Sequence, residues 1–409
     1  MDAIYENAHV TFIAATGSDA ESGLPGVSFG RRTAQAQVQF GDLQLLSTMR
    51  HPSLLIYTST WSKRGWTFQE ALLSCRRLFF TEDQVYFECR SIHCQETVKV
   101  DFDFIRSKSK KSGDSYHSPG LFNMLSNQET DMSIAAELPK TLIAAYGLIS
   151  KFSERKLSLE SDSLRAFLGI LRYLSRLQPS VRHFWGLPVA VNEDLANITE
   201  DFTRGLLWSR RTPDREQRRS QFPSWSWTSW AGPVSFFYLE SSNFLPRCRP
   251  KIELEFEEGS QMGLSTAMVS PMFSTCSDFY PIALHVECTV ILPAALEFSK
   301  VNLTGMRPKL FNAPVNIIYS EPLVDLSDVY IMLETQEVEL LLLYSTPEPA
   351  QIAGLLVKHY YGYALRVGMW ECSIALDSTV DGNLAVRIGN SVHDLKLDLH
   401  WKRKRTRIV

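Results

Sequence analysis

At 409 residues, 44% hydrophobic and 21% charged, the chain has the composition of a globular protein with a sizeable core, which excludes a disordered or low-complexity polymer. Its formal net charge of −3 gives no global pull toward nucleic acid or an anionic membrane, and no apolar run approaches the roughly 18 residues of a bilayer span. Seven scattered cysteines do not suggest a disulfide framework, and the start of the chain lacks the basic region of a secretory signal, so a reducing cytoplasm is the expected compartment.

The first hundred residues mix short helical and extended signals. Ile4, Tyr5 and Ala8 mark one helical face, and Val10 to Ala15 then read as a mostly buried strand. Gly23-Leu24-Pro25-Gly26 has the chemistry of a type II turn, because Pro25 fixes φ and Gly26 tolerates φ > 0. Short apolar runs at Leu43, Leu45 and Leu46 and from Leu54 to Tyr57 lead into the stretch Ser59 to Glu70. That stretch holds two tryptophans, the basic pair Lys63 and Arg64, Gly65 and one carboxylate. It reads as a loop closing into a helix start, with Gly65 allowing a tight path. Trp66, Gln69 and Glu70 fall at i, i+3 and i+4 and so share a helical face. A carboxylate one turn from a tryptophan is a candidate for chemistry, and equally for a structural ion pair. Arg77 to Phe80 and Gln84 to Cys89 read as a hairpin turning at Thr81-Glu82-Asp83. Cys89, His93 and Cys94 lack a paired Cys-x-x-Cys, so buried inert thiols are expected there and no metal site.

Residues 101–135 carry Arg106, Lys108, Lys110, Lys111 and several serines, which predicts a solvated linker. A helical period follows at Leu138, Leu142, Tyr146, Ile149 and Phe152, then at Leu164, Phe167, Leu168, Leu171 and Leu174, with a third helix between Asp194 and Trp208. Ser161-Asp162-Ser163 offers N-cap oxygens to the second. Arg210, Arg211, Arg215, Arg218 and Arg219 form a basic loop before Pro223-Ser224-Trp225-Ser226-Trp227-Thr228-Ser229-Trp230. This segment is expected as a strand with Trp225 and Trp227 on one face. Its indoles would bury the seam between helical and β-rich parts, or stack on a planar ligand with arginines nearby for phosphate. Short strands then run to the end, among them His285 to Leu292, Glu337 to Ser345 and His359 to Val367, and suit an antiparallel sheet or small barrel. The basic tail Lys402 to Arg407 is expected as a solvated terminus.

The elements Ser59-x-Trp61-x-x-Arg64-Gly65-Trp66-Thr67-x-Gln69-Glu70, Ile4-Tyr5-x-x-Ala8 and Gly23-Leu24-Pro25-Gly26 resemble the fungal heterokaryon incompatibility (HET) domain, the first of them its third signature. Tyr146 with Ser150, Ser161-Asp162-Ser163-Leu164, Leu206-Leu207-Trp208 and Pro223-Ser224-Trp225-Ser226-Trp227 resemble the region that follows this domain in many family members. The two signatures that precede Ile4-Tyr5 in the family are missing from the chain. The resemblance therefore implies a domain truncated at its N-terminal side, with an exposed sheet edge where earlier strands would pair.

HET domains are described as similar to TIR domains, some of which cleave NAD. The resemblance thus implies an α+β chain in four parts. Residues 1–100 would be a partial TIR-like α/β HET remnant and 101–135 a linker; 136–230 would be a helical region and 231–409 a β-rich antiparallel domain. Trp66 and Glu70 match the W-x-x-x-E element of the TIR enzymes. Glu70 is the implied catalytic residue, stabilising an oxocarbenium-like centre, and Trp66 the implied pocket wall; Trp61 and Arg64 are taken to hold the nucleotide. No cofactor is implied, because NAD would be the substrate. The implied biology is fungal nonself recognition and programmed cell death in the cytoplasm, with protein partners and self-association and with neither nucleic acid nor membrane. Without its front half the chain would lose the NAD-cleaving activity, and the alternative is a non-catalytic interaction module.

Overall fold

The computed structural model describes residues 1–17, 19–27, 32–47, 49–98, 120–122, 139–191, 197–211, 218–237, 249–270, 280–291, 296–300, 306–310, 313–319, 331–333, 335, 337–345, 351–373, 376–380, 383–388, 391–394 and 401–409. In chain order the elements begin α1 (Asp2–Asn7), β1 (Thr11–Ala14), β2 (Gln37–Phe40), β3 (Leu43–Leu46), α2 (Pro52–Thr58), α3 (Thr60–Lys63), α4 (Thr67–Leu73), β4 (Arg76–Phe80), β5 (Val85–Cys89) and β6 (His93–Gln95). Next come α5 (Lys140–Ser153), α6 (Arg165–Leu174), β7 (Ser180–Phe184), β8 (Leu187–Val191), α7 (Ile198–Leu206), β9 (Trp208–Arg210), β10 (Val234–Phe236), β11 (Lys251–Glu255), β12 (Gln261–Gly263), α8 (Leu264–Val269) and β13 (Ala283–Ile291). The strands that follow are β14 (Leu296–Lys300), β15 (Met306–Leu310), β16 (Ala313–Tyr319), β17 (Val338–Ser345), β18 (Gln351–Tyr360), β19 (Tyr363–Ser373), β20 (Leu376–Val380), β21 (Asn383–Ile388), β22 (Ser391–Asp394) and β23 (Trp401–Ile408). The mix of helices and sheets is α+β.

The chain divides into two compact units, residues 1–131 with 154–173, and residues 132–153 with 174–409. The helices that the period groups together are thus shared out: α5 belongs to the second unit and α6, up to Tyr173, to the first. Most of the expected linker lies outside the described residues. Gly120 to Phe122 are described, and Phe122 is buried core instead of solvated chain.

In the first unit, β1 and β4 pair in parallel, and β5 and β6 continue the sheet antiparallel. Parallel neighbours need a long crossover, and the connection that carries α2, α3 and α4 supplies it. The core under it gathers Ile13, Ile56, Trp61, Ala71, Phe79, Tyr86 and Phe122. Trp61 stands edge-on to Phe79 at 5.5 Å and to Phe122 at 5.6 Å between ring centroids, a favourable aromatic geometry. A buried ion pair, Arg77 to Glu88 at 2.6 Å, ties β4 to β5, and the Tyr86 hydroxyl also donates to Glu88. Pro25 and Gly26 form the expected turn, with Gly26 at φ 77° and Val27 N–H donating to the Leu24 carbonyl at 3.1 Å. Among the described residues β1 pairs on one side only, and Phe12 on it is 63% exposed. β2 and β3 form a separate ribbon, whose Val38, Phe40, Leu43 and Leu45 share one exposed face.

The second unit is built on one long sheet. Pairings of β13 with β17, β17 with β18, β18 with β19, β19 with β23 and β23 with β13 form a closed ring of strands. All are antiparallel except β19 with β23, which meet at Ala364 and Ile408. Gly354 makes the ring possible: a Cβ there would lie 1.7 Å from the Leu341 carbonyl oxygen, which accepts the Trp370 indole N–H at 3.2 Å.

Three expectations fail here. The basic tail is β23, paired with β13 along its whole length and not a solvated end. Arg403, Arg405 and Arg407 meet Glu287, Glu253 and Glu255 on one face, while Thr406 and Ile408 point into the core; alternation along a strand gives both at once. His359 to Val367 is not a single strand, because the chain turns at Tyr361-Gly362, with Gly362 at φ 85°. Pro223 to Trp230 is not a strand either. Ser226 caps a short 3-10 turn at Trp227–Ser229, accepting the Thr228 N–H at 3.1 Å, and Ser229 donates to the Ser226 carbonyl. Serine and threonine side chains compete for backbone groups in this way and outweigh the strand preference of tryptophan. Trp225, Trp227 and Trp230 are each 2% exposed or less, so they pack as core. Part of the arginine-rich loop, residues 212–217 with Arg215, lies outside the described residues.

Candidate functional site

The stretch Ser59 to Glu70 is folded by its own small residues. Ser59 caps α3 by accepting the Ser62 N–H at 3.1 Å. Thr67 begins α4 and donates its hydroxyl to the carbonyls of Trp61 and Arg64 at 2.5 and 2.8 Å. Between them the backbone of Lys63 to Gly65 lies along Lys156, with N–H to carbonyl bonds of 2.7 Å in both directions. Gly65 is required by this approach, since a Cβ would meet Leu157 at 2.4 Å.

These contacts place Glu70 one turn into α4, half-buried. Its Oε2 accepts the Trp61 indole N–H at 2.9 Å. The hydroxyl of Tyr5 faces it from α1: burial, then the Glu70 charge and a hydrogen bond to it, push the Tyr5 pKa up to about 12. The phenol therefore stays a neutral donor. Arg155 completes the surroundings. Its guanidinium lies 4.6 Å from the Phe68 ring centroid and donates to the Arg64 carbonyl and the Thr67 hydroxyl. Burial draws its pKa down to about 10 while Glu70 pulls it up; the group is a cation at neutral pH. Glu70 is thus a carboxylate held by two neutral donors, with a positive charge nearby that makes its own hydrogen bonds elsewhere.

The other residues singled out in the sequence take different places. The Trp66 indole donates to Asp162 at 3.1 Å, and Gln69 is buried and donates to the Ala166 carbonyl at 2.9 Å. Trp66 and Gln69 therefore face the segment 162–166, and the indole that meets the carboxylate belongs to Trp61. Trp61 is at the same time part of the core, 8% exposed. Arg64 is exposed, and its backbone is what the site uses. Tyr5 and Arg155 carry no site signal in the sequence: Tyr5 reads as one residue of a helical face, and Arg155 sits in a polar connection without periodicity. Cys89 and Cys94 are half-buried thiols, and among the described residues no three His, Cys, Asp or Glu side chains gather for a metal.

Residues 1–70 match the family model described as heterokaryon incompatibility protein (HET). This segment belongs to the HET family. The match ends at Glu70 itself and contains α1, β1, the Pro25-Gly26 turn and the α3–α4 crossing. The likeness drawn from residues 146–230 lies beyond the matched HET segment. No curated protein and no solved structure matched the chain. Among the described residues no helix is long and apolar enough to cross a membrane.

Proposed function

We propose that the protein acts in heterokaryon incompatibility, as a HET-type component of nonself recognition that leads to cell death. In this reading the activity is kept despite the absent signatures: the Glu70 site serves TIR-like cleavage of the nicotinamide glycosidic bond of NAD, in a pocket that assembly with a further copy completes. The observation that carries it is the setting of Glu70. An anionic oxygen steadied by an indole and a phenol, and half open to solvent, suits electrostatic stabilisation of a ribosyl oxocarbenium centre. A carboxylate closed in a direct ion pair would have its charge already spent. Arg155, whose charge interacts with Glu70, and the exposed Arg64 of the same stretch are the cations this reading assigns to a pyrophosphate. The parallel β1–β4 pair with its helical crossover is in keeping with a TIR-like sheet. Self-association is favoured by the open edge of β1 and the apolar face of the β2–β3 ribbon. Comparing nicotinamide release by the wild type and Glu70→Gln tests the proposal.

A non-catalytic role is the second reading. It is favoured by Trp61, whose place in the core accounts for its conformation without any ligand. In that case the HET segment would serve recognition alone, and Glu70→Gln would alter neither partner binding nor cell death.

A further inference from the structure

Arg366 lies in the second unit, far along the chain from the HET segment. It sits at a bulge of β19: Arg366 pairs with Val357 and Gly368 with Leu356, so Val367 is the additional residue. The side chain is 1% exposed. Its guanidinium carbon is 3.6 Å from the centroid of the Trp208 ring, and Nη2 donates to the Trp208 carbonyl. The backbone N–H donates to Ser224 Oγ at 2.9 Å. Nε and Nη1 have no acceptor. Burial alone acts on its pKa and draws it down to about 9, with no carboxylate opposing, and the group remains a cation at neutral pH. The indole N–H groups of Trp225 and Trp230, also buried, have no acceptor either.

The imbalance is one of kind. Buried charges are ordinarily paired, and buried donors ordinarily have acceptors. Here a full positive charge with two guanidinium nitrogens that find no acceptor lies buried against the Trp208 ring, while the backbone beside it is held by Ser224, which in turn donates to the Val409 carbonyl. The Trp208 ring face offers the cation partial compensation, but a ring face accepts nothing from Nε or Nη1 in their own plane. What Nε and Nη1 lack is a hydrogen-bond acceptor, and the charge they carry favours an anionic one.

We infer that the second unit binds a small inorganic anion of halide size against Nε and Nη1 of Arg366, taken up as the strands close. A halide accepts several N–H groups from any direction and brings one negative charge. An organic phosphate or carboxylate would need a mouth to solvent for its body, which a side chain 1% exposed does not have.

The test uses the full chain. In crystals grown in sodium bromide and measured at the bromine edge, an anomalous peak in contact with Nε or Nη1 of Arg366 is expected. Thermal melts at one ionic strength, in sodium bromide or chloride against sodium gluconate, should show the halides raising the melting temperature by about 3 °C. Arg366→Met should remove the difference between salts while still folding, because an apolar replacement of a buried unpaired charge is tolerated. Should that variant fail to fold, the bromide peak in the wild type decides. Density the size of a water molecule without anomalous signal, together with equal melts in halide and gluconate, would overturn the inference.

Discussion

The Trp61 indole N–H donates to the Glu70 carboxylate at 2.9 Å, across the Arg64-Gly65 crossing that joins α3 to α4. One residue thereby belongs to two systems, since the same indole packs edge-on against Phe79 of β4. Trp61→Phe removes the hydrogen bond and leaves a void in the core. We expect a loss of about 2–3 kcal/mol in chemical denaturation of the first unit. Trp66→Phe, at a half-buried position, should cost about 1 kcal/mol.

The buried Arg77–Glu88 pair makes an asymmetric prediction. Glu88→Gln leaves a guanidinium enclosed without its counter-charge and should destabilise the first unit by about 3 kcal/mol, read from urea melts. Replacing both partners, as Arg77→Met with Glu88→Leu, should recover most of that loss.

Asp201 on α7 gives the second unit a pH dependence. Burial raises its pKa from 3.8 to about 7, against the pull of Arg204, 3.6 Å away. The folded state therefore holds a proton that the unfolded state has released. This contribution is fully present below about pH 4 and is lost as pH rises through 7. Denaturation at pH 5 and pH 8 should show the wild type weaker at pH 8 by about 1–3 kcal/mol. Asp201→Asn keeps the shape without the titration and should shrink the difference. The Glu255 pKa, held down to about 2 chiefly by hydrogen bonding to Arg407, lies below this window and does not disturb it.

Gly354→Ala brings a methyl group against the Leu341 carbonyl, where a Cβ has 1.7 Å. Neither backbone can yield without parting β17 from β18. We expect a cost of about 3 kcal/mol or more, seen as a lowered melting temperature, with Gly263→Ala, exposed and at φ −62°, as the control.

Much of the local structure was legible in the sequence. The helical face of α5, the β4–β5 hairpin, the Pro25-Gly26 turn and the helix starting near Glu70 follow from periodicity and turn chemistry. The misreadings have long-range or side-chain causes. The arginines of β23 look like a solvated tail until Glu253, Glu255 and Glu287, more than a hundred residues earlier, are set beside them. The Trp225–Trp230 segment alternates like a strand, but its hydroxyls hold it in turns. At the site, the spacing of Trp66 and Glu70 was visible, whereas the partners of the carboxylate, Trp61 and Tyr5, are brought to it by the crossing at Gly65 and by α1. Helical spacing selects residues on one face; it does not say which face meets which neighbour.

Nicotinamide release from NAD, followed for the full chain over a rising range of protein concentration, tests the role given to Glu70 most directly. The account predicts release that climbs as copies assemble and falls by about 100-fold or more in Glu70→Gln, with the variant melting as the wild type does. Equal release by the two proteins, or none from an assembled wild type, would contradict it.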